Sequence, residues 1–135
     1  MMPLLFFAAA SADLDALDQA VTHCERAAVN PMFAGEAARR SAFLLDAYHQ
    51  QEIIVADRLA LADQRRTLRE DAAVKVAERK EAGKQLDLRE SAIEDRQRAL
   101  NDRRMLEGIR EDAMDSMRHY FLLNCPAGGG QEKAR

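Results

Sequence analysis

Apolar residues recur at Leu14, Leu17, Val21, Cys24 and Ala28, in alternating steps of three and four that draw one stripe along a short helix. Asn30-Pro31 is expected to end that helix, because a residue before proline is pushed out of the helical region and proline has no amide to donate. Met32 and Phe33 follow in the connection. From Gly35 to Asn124 there is no proline and helix formers dominate, so one or two long helices must fill this stretch.

Large apolar residues within it gather in two zones, Phe43 to Ala62 and Met105 to Leu123, separated by a run dominated by charge. An unbroken rod would leave both zones exposed unless another chain covered them. A turn at Glu81-Ala82-Gly83-Lys84, where glycine can adopt the left-handed conformation that ends a helix, would fold one zone onto the other. Phe121 would then meet Leu45, Met117 would meet Tyr48 or His49, and Leu106 would lie near Leu61. The expected fold is therefore all-α: a short N-terminal helix packed on the base of a long antiparallel helical hairpin with coiled-coil-like arms. Along the arms the apolar positions thin to Leu68 and Val74 or Val76 on one side and to Leu86, Ile93 and Leu100, seven apart, on the other. Leu68, Leu86, Ile93 and Leu100 make a narrow seam through which the arms could self-associate or dock another protein. Met105, Met114, Met117, Tyr120 and Phe121 form an adaptable strip, expected as core, with client binding as the alternative.

Composition agrees with elongated helices: in 135 residues, 32% charged against 5% aromatic leaves little material for a thick core. The 20 basic and 23 acidic residues are interspersed, and the pairs Arg39-Arg40, Arg65-Arg66 and Arg103-Arg104 lie near acids without aromatic interleaving, so no nucleic-acid partner is expected.

Residues 1–12 form an apolar run closing on Ala10-Ser11-Ala12, the small-x-small pattern of a signal-peptidase site, with cleavage expected before Asp13. The run is short and lacks a basic start, as a truncated signal peptide would. The mature domain is expected over 13–125 and a disordered tail over 126–135. No later stretch approaches the ~20 apolar residues of a membrane span, so no stable membrane insertion is expected after cleavage. The expected location is periplasmic or secreted, with the cytoplasm as the alternative. In an oxidising compartment Cys24 and Cys125 would form a disulfide; in a reducing one they would be two buried thiols.

Candidate chemistry is sparse. His49 with Glu52, and Asp115 with His119, are His/carboxylate pairs at helical spacing that could face one another as metal ligands, although helical metal sites usually draw on four helices. The plainer expectation is polar groups flanking the seam. Ser41, Ser91 and Ser116 lack a nucleophile elbow, and Gly128-Gly129-Gly130 is followed by neither Lys-Ser/Thr nor a helix. No catalytic residue and no cofactor are expected. The expected function is a non-enzymatic envelope protein acting as a structural or protein-interaction module; a periplasmic holdase-like chaperone is the alternative, and a metal-binding helical protein the second alternative.

Overall fold

The computed structural model describes residues 4–127, with side chains from Asp13 onward. Of the residues expected as signal peptide, 1–3 lie outside that range and 4–12 are described in backbone alone; residues 128–135 of the expected C-terminal tail also lie outside it. Three helices make up the chain: α1 (Leu4–Thr22), α2 (Arg26–Glu70) and α3 (Val76–Asn124). The two long helices pack against each other as a helical hairpin, and among the described residues there is no strand. Two compact units divide the chain, one comprising residues up to Ser41 and from Gly108, the other Ala42–Glu107.

In the first unit, α1 ends at Thr22, nine residues before Pro31, not at Asn30. Cys24 takes a left-handed conformation (φ 53°), with the Glu25 amide donating to the Ala20 carbonyl at 2.9 Å and the Cys24 amide to that of Val21 at 3.1 Å. This is a Schellman cap in which cysteine occupies the position usually given to glycine. The Glu25 carbonyl then receives the amides of Ala28 and Val29 and starts α2. Pro31 therefore falls in the second turn of α2 and does not stop it. It forfeits one intrahelical bond, while Val29 just before it is fully buried and Met32 and Phe33 just after it pack on the core. That core joins Leu17, Ala20 and Val21 of α1, Val29 of α2, and Met114, Phe121 and Cys125.

In the second unit the chain reverses at Asp71–Lys75, ten residues before the expected turn. Asp71 accepts the Ala73 amide on its carboxylate (3.0 Å), an Asx turn. Glu78 reaches back to the Lys75 amide (3.4 Å), half of a capping box. The Arg79 guanidinium donates to the carbonyls of Arg69 and Asp71 (3.1 and 2.8 Å), satisfying the exposed end of α2. Gly83 is an ordinary residue inside α3. The seam consists of Ala47, Ile54 and Leu61 against Leu86, Ile93 and Leu100, seven apart on each helix, with Phe43 and Leu68 alongside.

Candidate interaction surface

Moving the turn changes what meets what. A hairpin closing at Asp71–Lys75 sets the apolar-rich zone 43–62 against the charged stretch of α3 around Leu86 to Leu100, whose apolar residues are one per seven. The expected contacts of Phe121 with Leu45, and of Leu106 with Leu61, do not form: Phe121 is buried among Leu17, Val21 and Val29, and Leu61 pairs into the cluster with Leu86. One apolar residue per heptad on α3 covers one per heptad on α2. The excess is left at the surface, where Leu44, Leu45, Tyr48, Val55 and Leu59 are each 45–67% exposed.

Four of these lie on one face. At 3.6 residues per turn, Leu44, Tyr48, Val55 and Leu59 fall in a single stripe roughly a quarter turn from Ile54, which points into the seam. Glu52 sits beside the stripe, and its hydrogen bond to the Tyr48 hydroxyl, reinforced by its charge, raises the phenol above its ordinary pKa. Met105 is exposed on α3.

Polar side chains line the rest of the hairpin contact. Gln51 and Gln97 exchange amide hydrogen bonds at 2.9 and 3.1 Å, and Arg104 also donates to Gln51 (3.2 Å). Arg65 bridges Asp87 (2.9 Å) and Glu90 (2.7 Å), Arg103 pairs with Asp46 (2.8 Å), and Arg96 pairs with Asp57. Exposed pairs of this kind add little stability each, but they hold α2 and α3 in one register. Near the turn the helices spread around an open cleft of about 500 Å³ lined by Leu68, Val74, Ala82 and Leu86, with Gln64 and Arg89 at its edge already hydrogen-bonded to each other (2.6 Å).

Leu68, Leu86, Ile93 and Leu100, read from the sequence as a seam for a partner, are spent inside the chain: three are at most 7% exposed and Leu68 packs beside them. The α2 stripe, which sequence reasoning had assigned to the core, is exposed instead. The methionine and aromatic strip divides. Met114 and Phe121 are core and Met117 packs beside them, while Met105 and Tyr120 are exposed.

Cys24 and Cys125 lie at disulfide distance, with Cα atoms 5.4 Å apart, inside the first unit. Cys125 is buried and Cys24 exposed. Arg26 steadies the site, donating to the Cys125 carbonyl (2.8 Å) and lying 4.9 Å over the Phe121 ring. Nearby in the same unit, Glu36 accepts hydrogen bonds from Arg39 and Arg110, and Arg110 also holds Asp13 (2.7 Å). Burial pushes the Glu36 carboxyl up, but the two guanidinium groups outweigh it and bring the pKa down to about 2.

Of the candidate metal ligands, His49 and Glu52 belong to the second unit and Asp115 and His119 to the first. Among the described residues, no group of three or more His, Cys, Asp or Glu could hold a metal ion. No known protein family matches this chain, and no curated protein or solved structure is significantly similar to it.

Proposed function

We propose that the protein is a non-enzymatic interaction module of the cell envelope or the extracellular space, whose docking surface is the stripe Leu44, Tyr48, Val55 and Leu59. The observation that carries this is the uncovered apolar face itself. Monomeric surfaces expose single hydrophobic residues freely, but four large ones at helical spacing on one face, two on each side of Gln51 and Glu52, mark a contact with something else. The cysteine pair at disulfide distance supports an oxidising compartment, where such a bond persists. Among the described residues no helix is long and apolar enough to cross a membrane.

The test is site-specific photo-crosslinking in the native host. A photoreactive residue at Val55 samples the stripe; one at Ala92, which helical arithmetic puts on the opposite face of the hairpin unit, serves as control. Protein adducts at position 55 with none at 92 are expected. Equal labelling at both positions, or none at either, refutes the proposal.

A further inference from the structure

The occupant of the stripe can be named. We infer that the face docks a second copy of this chain, with the two α2 helices antiparallel and a two-fold axis passing between Gln51 and Glu52. This rests on the interaction function proposed above and specifies its partner.

Two features lead there. The first is the spacing of the stripe, which is its own mirror: steps of four, seven and four separate Leu44, Tyr48, Val55 and Leu59. An isologous interface demands a patch complementary to itself. About the axis between Gln51 and Glu52, Leu44 of one copy meets Leu59 of the other and Tyr48 meets Val55, so all four large side chains are covered at once.

The second feature is charge on the neighbouring helix. The Gln51–Gln97 hydrogen bonds fix which level of α3 lies beside the axis. On the side of α3 that shares the stripe's face, Glu90 and Glu94 come before that level, and Arg98 and Asn101 after it. Two-fold pairing therefore brings Glu94 within a turn of Arg98 of the second copy, and the symmetry repeats the contact. A register set by apolar spacing on α2 thus makes opposite charges meet on α3, where a shift of half a turn or more would lose the match.

Size sets the strength. The fifteen residue steps from Leu44 to Leu59 span ~22 Å, and two helices side by side are ~20 Å wide, so the patch is roughly half of a standard-size contact of ~800 Å² per partner. The dimer is accordingly weak and reversible, in the size class of transient contacts.

Sedimentation equilibrium of the full oxidised chain, from about 1 to about 300 µM, tests for it. A monomer passing to dimer is expected. Tyr48→Glu should weaken dimerisation at least ten-fold while helicity and thermal unfolding of the monomer stay unchanged. Arg98→Glu should weaken it several-fold, and Glu94→Arg with Arg98→Glu should restore it, because the exchanged charges meet again across the axis. A chain monomeric throughout the range overturns the self-pairing, as does a dimer indifferent to Tyr48→Glu or one that the double exchange fails to rescue. Photo-adducts at Val55 separate the two levels: a monomeric chain giving only adducts whose mass is not twice its own retains the interaction function and loses the second copy, whereas no adduct at all removes both.

Discussion

Gly83→Ala tells the two possible turns apart by the sign of its effect. Gly83 lies within α3, is half-buried, and a methyl built on it would meet nothing within 4 Å. The substitution therefore adds no clash and removes no contact. What it changes is backbone entropy: glycine in a helix interior costs ~0.8–1.0 kcal/mol relative to alanine, much of it through the unfolded chain. The variant should gain about 0.8 kcal/mol. Were the chain to reverse at Gly83, with that residue left-handed, alanine there would cost ~1–2 kcal/mol instead. Urea unfolding followed by helical ellipticity reads the difference. With an unchanged slope of ~1–3 kcal/mol/M, the midpoint should rise by about 0.3–0.8 M. Amide exchange around residues 80–90 should slow in step, locating the gain in the hairpin unit. A lowered midpoint, or faster exchange there, would refute a turn at Asp71–Lys75 and with it the exposure of the α2 stripe.

Two further outcomes bear on the first unit. The Glu36 carboxyl ionises more readily in the folded protein than in the unfolded chain, with a pKa near 2 against 4.5, so its contribution is full above pH 4.5 and is lost as pH falls toward 2. Glu36 is half-buried and solvent screens its ion pairs, so that contribution is ~1–2 kcal/mol, and acid unfolding of Glu36→Gln compared with the parent should show the difference shrinking across that window. A difference independent of pH between 5 and 2 would remove the ion pairs of Glu36 as its cause. Cys24 occupies a left-handed position, so in a Cys125→Ala background Cys24→Gly should be more stable than Cys24→Ala by roughly 1 kcal/mol in thermal unfolding. Equal melting temperatures would mean that the cap does not survive loss of the cysteine pair.

The residues alone pointed to a helical chain that folds back on itself: proline is absent between Pro31 and Pro126, helix formers dominate, and the two apolar-rich zones cover one another when the chain turns. The pairing of Cys24 with Cys125 was foreseeable for an oxidising compartment, since one cysteine lies near each end of the helical stretch. What the tertiary structure decided is where the turn lies. Gly83 was the strongest local turn signal, yet Asp71, Glu78 and Arg79 together satisfy the backbone groups freed at Asp71–Lys75, and no one of them announces a turn by itself. Pro31 misled in the same way. Its local cost is outweighed by burial of Val29 beside it, and a cysteine at the cap took the place where glycine would have marked the end of α1. The placement of the stripe follows from the turn: a shift of ten residues in the reversal moves the apolar zone of α2 from opposite Met105–Leu123 to opposite a charged stretch. Local propensity is read residue by residue, but exposure depends on which distant segment the register delivers, and here that one quantity turned an expected core into a surface.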